Sequence, residues 1–256
     1  MLSKEKIEDE LQKIGINPPK IVFYEETDST NTRAKEYAKE NPDSRETVVF
    51  IANGQTAGRG RRGRSFVSES GAGIYMSILT YPDTDAADAT MVTARTAVSL
   101  AEAIESLCNC DVKLKWVNDL YLGGKKLAGI LTEGELTEKG KIAYQVVGMG
   151  INVYKNAISD EISDIATSIE GETDAKIDRS RLVAVIIKNI LWQKGDFYTK
   201  YRGRSFIIGK KVMVMKLSES YEARVIDIDS DFSLIIDRDG REERLFTGEI
   251  SIKMDN

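Results

Sequence analysis

The chain has 256 residues, of which 41% are hydrophobic and 30% charged, and its net charge at pH 7 is -5. This composition is typical of a globular protein with one large domain, or one large and one small domain. The acidic balance disfavours a general nucleic-acid binder, which is usually basic over its binding domain. Histidine is absent, and that argues against hydrolase triads built on imidazole.

The sequence offers no targeting or membrane segment. Acidic residues follow Lys4 and Lys6, where a signal peptide would continue with an apolar run. No stretch approaches the roughly 20 apolar residues that cross a bilayer. The two cysteines, Cys108 and Cys110, have no histidine to complete a zinc site of the usual kind. We therefore predict a cytoplasmic protein with reduced thiols and no membrane partner.

The hydrophobic pattern predicts a mixture of helices and strands in the first two hundred residues. The predicted elements are, in chain order, a helix over 4–14, a strand over 21–26, a helix after residue 30, strands over 47–52 and 73–80, a helix over 88–107, strands over 112–116, 120–122, 127–131 and 142–150, and a helix over 181–201. Gly123-Gly124 predicts a hairpin turn. Because strands and helices do not alternate strictly, the pattern indicates an α+β fold.

After Gly203 the pattern changes to short strands separated by turns. These strands are predicted over 211–217, 223–228, 233–237 and 243–246, with one turn at Asp239-Gly240. This spacing is typical of a small all-β barrel. The sequence therefore predicts a large domain over 1–203 and a small β domain over 204–256.

A glycine- and arginine-rich segment stands out between Gly58 and Arg64, where the chain reads Gly-Arg-Gly-Arg-Arg-Gly-Arg. Glycine loses the most backbone freedom on ordering, and four like charges repel one another, so the segment predicts a loop that an anion orders. The arginine fork grips phosphate or carboxylate through two hydrogen bonds. An RNA-binding Arg-Gly patch is the alternative interpretation.

Three further segments carry small or charged polar residues. Asp28 to Asn31 joins a predicted strand to a helix, and Gly148 to Asn152 ends a predicted strand. The third segment runs from Lys115 to Leu131, and its hairpin would bring Asn118-Asp119 close to Lys126. Such an arrangement suits a metal-bound triphosphate. Helix capping, a strand bulge and a surface ion pair are the structural alternatives for these segments.

Taken together and in this order, these segments resemble the biotin protein ligases, also called biotin–[acetyl-CoA-carboxylase] ligases. The resemblance also covers 71–75, 166–168 and 248–250, so it extends over nearly the whole chain. It implies a mixed-sheet catalytic domain of the class II aminoacyl-tRNA synthetase and biotin ligase type, followed by a small SH3-like β-barrel.

Members of that family activate biotin with MgATP to give biotinyl-5'-AMP and pyrophosphate. They then transfer biotin to one lysine of a biotin carboxyl carrier protein or domain. The resemblance implies that Lys126, Arg61 and Arg59 are catalytic and that Asp119 binds Mg²⁺. The biotin-binding residues that it implies are Ser29, Thr30, Asn31, Gln55, Arg59, Gly60, Arg61, Lys126, Gly129 and Gly148. The implied ATP-binding residues are Arg61, Arg62, Trp116, Asn118, Lys126, Asn152 and Ser168.

The chain departs from the usual family pattern at three positions. Val117 and Glu69 stand where proline is common, and Phe66 stands where tryptophan is common. We expect these changes to tune loop rigidity and to leave activity in place. The short segment before the first strand is too small for the DNA-binding helix-turn-helix domain of some bacterial members, so no DNA binding is expected. A homodimer formed through strands of the main sheet is left open.

Three other functions are weighed against biotin ligation. A lipoate–protein ligase would share the fold and the adenylate chemistry. A non-enzymatic nucleic-acid binder would use the arginine loop, and a biotin sensor would bind without turnover. The arginine loop and the segment from Lys115 to Leu131 favour biotin ligation, since they are the most specific parts of the resemblance.

Overall fold

The computed structural model describes residues 1–82, 89–138, 140–216, 219–246 and 249–252. Its helices are α1 (Lys4–Lys13), α2 (Thr30–Glu40), α3 (Ala89–Glu105), α4 (Ile169–Glu172), α5 (Arg179–Trp192) and α6 (Phe197–Arg204). Its strands are β1 (Lys20–Thr27), β2 (Val48–Gln55), β3 (Gly73–Thr80), β4 (Lys113–Lys115), β5 (Asp119–Leu122), β6 (Lys125–Leu136), β7 (Ile142–Asn152), β8 (Lys211–Met215), β9 (Ser220–Ile228), β10 (Leu234–Arg238), β11 (Arg241–Leu245) and β12 (Glu249–Ile252). The predicted α+β fold class is confirmed.

The first sheet has seven strands in the order β1-β2-β3-β7-β6-β5-β4. Strands β1 and β2 are parallel, and the other neighbours are antiparallel. The apolar run of β2 buries both faces of the sheet: Val49 and Ile51 belong to the core cluster shared with α1, α3 and α5, whereas Val48 and Phe50 pack with α2. This two-sided burial explains why β2 reads as a continuous hydrophobic stretch.

The second sheet has five antiparallel strands in the order β11-β10-β9-β8-β12. A hydrogen bond of 2.8 Å from Trp116 Nε1, just after β4, reaches the carbonyl oxygen of Phe232, just before β10. The ring of Phe232 packs edge-on against Tyr201 of α6, with centroids 5.6 Å apart. The second sheet therefore supports the chain segment that carries Trp116.

The predicted single helix over 181–201 is wrong, because the structure has two helices there. Gly195 lies between them with a φ of 142°, a backbone conformation that favours glycine. Asp196 then caps α6 by accepting a hydrogen bond from the Thr199 amide at 2.9 Å. The proposed boundary at Gly203 falls within α6, so the division into domains stays a prediction.

Other elements differ less from the predictions. Strand β12 was not predicted, although its Ile250 is buried in the core and β12 pairs with β8. The positive φ angles of Gly123 and Gly124 confirm the predicted hairpin turn between β5 and β6. Asp88, Leu217 and Gly248, which were part of predicted segments, lie outside the described residues. No helix within those described ranges has the length and apolar character needed to span a bilayer.

The N-terminal cap of α5 gives a test of the local structure. The Asp178 carboxylate accepts hydrogen bonds from the amides of Ser180 and Arg181 at 2.8 and 3.4 Å. Asp178→Ala leaves these amides without that acceptor, so we expect the free energy of unfolding to fall by about 1 kcal/mol. Urea denaturation measures the change, and Asp178→Asn, which keeps an acceptor, should stay close to wild type. An unchanged midpoint for Asp178→Ala would contradict the cap.

Candidate functional site

One cavity of the structure collects most of the residues that the sequence singled out. It has about 850 Å³ of empty space, part of it open to solvent. Its lining comes from the start of α2, the end of β2, the Gly-Arg loop, the turn between β4 and β5, and strands β6, β7 and β12. The predicted site residues in this lining are Ser29, Thr30, Asn31, Gln55, Arg59, Gly60, Arg61, Trp116, Asn118, Asp119, Lys126, Gly129 and Gly148.

Buried polar side chains form one wall of the cavity. Gln55 Oε1 accepts hydrogen bonds from the backbone amide and the hydroxyl of Thr30 at 2.9 and 3.2 Å. The Ser77 hydroxyl lies 2.6 Å from Asn31 Oδ1 and 2.7 Å from Thr30 Oγ1. Helix capping was the alternative interpretation of this segment, but the Ser29 side chain makes no capping hydrogen bond. We call this wall the polar floor of the cavity. Its residues Thr30, Asn31, Gln55 and Ser77 are held in place by hydrogen bonds to one another.

Two glycines of β7 make room for this floor and for the loop above it. A Cβ atom on Gly148 would lie 2.0 Å from Asn31 Oδ1, and one on Gly150 would lie 2.5 Å from the Phe66 ring. No side chain fits at either position unless its neighbour moves. The two glycines therefore allow Asn31 and Phe66 to approach the strand, and both line the cavity.

The opposite wall carries the charged residues of the β5–β6 hairpin. Lys126 Nζ lies 2.8 Å from Asp119 Oδ1, which confirms the predicted proximity of these residues. The Asn118 amide donates to the same carboxylate oxygen at 3.1 Å and to the Ile130 carbonyl at 3.0 Å. These contacts fix the positions of an amide, a carboxylate and an ammonium at one side of the cavity.

The Gly-Arg loop lies across the cavity and is tied to both sides of it. Arg61 donates from Nη1 to Asn118 Oδ1 at 3.1 Å, and Arg59 Nη2 lies 3.2 Å from Glu133 Oε1. Within the loop, the Gly60 amide donates to the Arg64 carbonyl at 2.7 Å. The loop thus forms a cover whose arginines reach the turn between β4 and β5 and strand β6.

Glu133, which the sequence analysis missed, lies outside the cavity lining but contacts two residues of it, Asn31 and Arg59. Its carboxylate also accepts hydrogen bonds of 2.8 Å from Asn31 Nδ2 and from Lys35 Nζ. Burial alone would raise the pKa of Glu133, but the hydrogen bonds from Lys35 and Asn31 and the charge of Arg59 lower it below its ordinary value. Strand alternation does not single out this residue, because Gly129, Ile130 and Leu131 all line the cavity and Glu133 does not.

Three predicted ATP-binding residues do not line the cavity. Arg62 lies exposed at the tip of the loop, with a φ of 54°. The Asn152 amide donates to the Thr167 carbonyl at 3.1 Å, and the Ser168 hydroxyl accepts a hydrogen bond from the Gly171 amide at 3.1 Å. The last two contacts are structural, and the nucleotide roles of all three residues stay predictions.

The charges of the cavity lining differ from the acidic balance of the whole chain. Among the described residues, five cationic side chains and one carboxylate line it: Arg59, Arg61, Arg64, Lys115, Lys126 and Asp119. The same described residues contain no cluster of three or more acidic or cysteine side chains that could hold a metal ion. The site therefore suits a ligand with several negative charges, placed between a polar floor and an arginine cover.

Comparisons with known proteins agree with this geometry. A model described as the biotin/lipoate A/B protein ligase family matches residues 23–152. The chain is 28% identical over 242 residues to the bifunctional ligase/repressor BirA of Bacillus subtilis (strain 168), covering 91% of this chain and 74% of that protein. It is 28% identical over 261 residues to the biotin--[acetyl-CoA-carboxylase] ligase of Mycobacterium tuberculosis, covering 97% and 95% of the two chains. The structure of biotin protein ligase from Aquifex aeolicus in complex with biotin and ATP is similar with a TM-score of 0.76 and 26% identity, covering 91% and 98%.

Proposed function

Because the chain belongs to the biotin/lipoate A/B protein ligase family, we propose that it is an ATP-dependent biotin protein ligase. It activates biotin to biotinyl-5'-AMP and passes the biotinyl group to a lysine of a biotin carboxyl carrier protein or domain. The observation that carries the proposal is the single cavity in which Lys126 and the loop arginines face the polar floor of Thr30, Asn31 and Gln55. The similarity to a ligase solved with biotin and ATP supports it.

The two ends of the cavity suit the two ends of biotin. The ureido ring needs both donors and acceptors, and the amides and hydroxyls of Thr30, Asn31 and Gln55 supply both types. Lys126 at the other side would meet the biotin carboxylate and the α-phosphate of ATP. Gly129, whose absent side chain would point toward the Lys126–Asp119 pair, keeps the space between the ends open.

The first step joins two anions, so it depends on positive charge at the place where they meet. A biotin carboxylate oxygen forms a bond to the α-phosphorus, and the bond from that phosphorus to the β-phosphate oxygen breaks, which releases pyrophosphate. Lys126 and Arg61 would stabilise the charge that gathers on the α-phosphate oxygens. In the second step the carrier lysine amine attacks the acyl carbon, loses a proton and releases AMP.

The donor set beside Lys126 fits a Mg²⁺ ion that takes most of its ligands from phosphates and water. Such ions are usually held by one or two carboxylates, and Asp119 offers one carboxylate at the edge of the cavity. Mg²⁺ would supply charge neutralisation for the triphosphate. Asp119 also positions Lys126, whose ammonium lies 2.8 Å from the Asp119 carboxylate.

The partner that we propose is a carrier of the acetyl-CoA carboxylase type, as the name of the Mycobacterium tuberculosis relative indicates for that protein. The carrier presents its lysine at the open side of the cavity, where the adenylate carbonyl would lie. The lack of DNA binding and a cytoplasmic location stay predictions, and the homodimer stays open.

Incubation with ATP labelled on the α-phosphate and with either biotin or lipoate tests the proposed function. We expect labelled acyl-AMP with biotin and transfer of biotin to a carrier domain. The family model covers lipoate ligases as well, so lipoate is the informative comparison. Adenylation of lipoate and not of biotin would overturn the assignment, and binding of biotin without any adenylate would identify a sensor.

Lys126→Ala should lower the rate of biotinyl-AMP formation by roughly 10²–10³, because one positive group facing the reacting phosphate is removed. Lys125→Ala is the matched control, since the Lys125 ammonium instead contacts the Ser163 carbonyl. Single-turnover measurements of adenylate formation check the difference. Equal rates for Lys126→Ala and Lys125→Ala would show that Lys126 does not have this role.

Arg61→Ala should release biotinyl-AMP faster than wild type by roughly tenfold or more, since a hydrogen bond to a charged group contributes about 1.5–3 kcal/mol. Lys125→Ala removes a positive charge that contacts the Ser163 carbonyl outside the cavity lining, and it serves as the control. The measurement is the dissociation of preformed adenylate in a chase with unlabelled biotin and ATP. If the two variants release it at the same rate, Arg61 does not hold the adenylate.

Gly148→Ala should weaken biotin binding by roughly tenfold to 100-fold, because the new methyl group displaces Asn31 from the floor and costs it a buried hydrogen bond. Gly203→Ala provides a control for the same substitution, since nothing lies within 4 Å of a Cβ atom at that position. Calorimetric titration with biotin measures both affinities. Wild-type affinity in Gly148→Ala would place the biotin ring elsewhere.

A further inference from the structure

We propose that Glu133 is a positioning residue for the proposed reaction, because its carboxylate joins Arg59 of the Gly-Arg loop to Asn31 of the cavity floor. The inference rests on the proposed function for its catalytic consequence. Its structural part, the link between loop and floor, stands on the contacts of the protein alone.

Glu133 lies on β6, and its three partners come from two other segments. Asn31 and Lys35 are one helical turn apart on α2, and both reach the carboxylate at 2.8 Å. Arg59 approaches it from the loop at 3.2 Å. The Glu133 side chain is 19% exposed, whereas that of Arg59 is 45% exposed. The acid is therefore the fixed member of the pair and the arginine is the movable one.

Through Glu133, the start of the Gly-Arg loop is connected to the segment that follows the loop by a series of contacting groups. On the N-terminal side, Arg59 contacts Glu133, and Glu133 contacts Asn31. On the C-terminal side, the Ser68 hydroxyl donates to the Phe66 carbonyl at 3.0 Å. The complete series of contacts runs through Arg59, Glu133, Asn31, Ser77, Thr30, Gln55, Ser68 and Phe66. The loop and the groups that would face the ligand are therefore joined by one series of contacts.

Glu133 also fixes which way the Asn31 amide points. Asn31 Nδ2 donates to Glu133 Oε2 and to the Leu131 carbonyl, while Asn31 Oδ1 accepts from the Ser77 hydroxyl. Two acceptors on one side and a donor on the other define a single orientation of the amide. Removing the acceptor at 133 would loosen that orientation and, with it, the fit of the ureido ring.

Two substitutions separate these effects. Glu133→Gln keeps the side-chain size and an acceptor for Asn31 but removes the charge that holds both Arg59 and Lys35. Glu133→Ala removes the acceptor and the charge. Glu135→Gln is the matched control, because it removes one negative charge from the same strand and its partner is Tyr144, which does not line the cavity.

Trypsin cleavage of the ligand-free protein at Arg62, followed by mass spectrometry, measures how often the loop opens. We expect Glu133→Gln to be cut roughly fivefold faster than wild type, as the loss of a partly exposed ion pair predicts. Glu135→Gln should be cut at the wild-type rate. Arg59→Gln should be cut at the same rate as Glu133→Gln, and the double variant should be cut no faster than either. All three variants lack the ion pair between Arg59 and Glu133. Equal cleavage of wild type and both single variants would overturn the link.

Enzyme assays separate an effect on the KM for biotin from an effect on the release of biotinyl-AMP. Glu133→Gln should release biotinyl-AMP faster at an almost unchanged KM for biotin, whereas Glu133→Ala should also raise that KM, because Asn31 loses its acceptor. A general loss of structure would raise both values in both variants. A wild-type protein that forms no biotinyl-AMP would overturn the proposed function and the catalytic part of this inference, while the cleavage rates would still test the link between loop and floor. Normal adenylation, with wild-type release and KM in both Glu133 variants, would overturn only the role of Glu133.

Discussion

The site depends on how cations are held together at one cavity. Like charges in a partly buried position repel each other strongly. A cluster of cations in such a position therefore needs acids that compensate its charge. The structure meets this constraint with acids placed on one hairpin: Asp119 faces Lys126, and Glu133 faces Arg59. These pairs hold the side chains near the positions where phosphate and carboxylate oxygens would later compete for them. Little rearrangement is then needed when the ligand binds.

Strand β6 carries most of this arrangement because of an irregularity in its pairing with β5. The register shifts between Leu120 and Tyr121, so that Lys126 pairs with Tyr121 while Ala128 pairs with Leu120. In a regular strand Lys126 and Gly129 would point to opposite faces. With the bulge, Lys126 Cε lies 3.4 Å from the position of a Cβ atom on Gly129. The bulge therefore turns the ammonium into the cavity, a known use of such irregularities.

The sequence was sufficient for features that depend on local chemistry. The β-branched runs predicted the strands of the first sheet, and the Gly123-Gly124 turn predicted the hairpin that brings Lys126 to Asp119. It was not sufficient where contacts cross long separations in the chain. Glu133 meets Asn31 across 102 positions, and no local pattern announces such a pair. The break between α5 and α6 was missed although residues 193–196 interrupt the apolar spacing and Gly195-Asp196 is a signal for a helix end and a new cap.

We propose that Lys126 exchanges its contact with Asp119 for contacts with the reacting anions. A crystal structure of the protein with biotinyl-5'-AMP tests it most directly. We expect Lys126 Nζ within about 3 Å of an oxygen of the phosphoryl group, beneath a loop in which Arg61 also faces the adenylate. A structure with the adenylate bound elsewhere, and with Lys126 still paired to Asp119 alone, would contradict it.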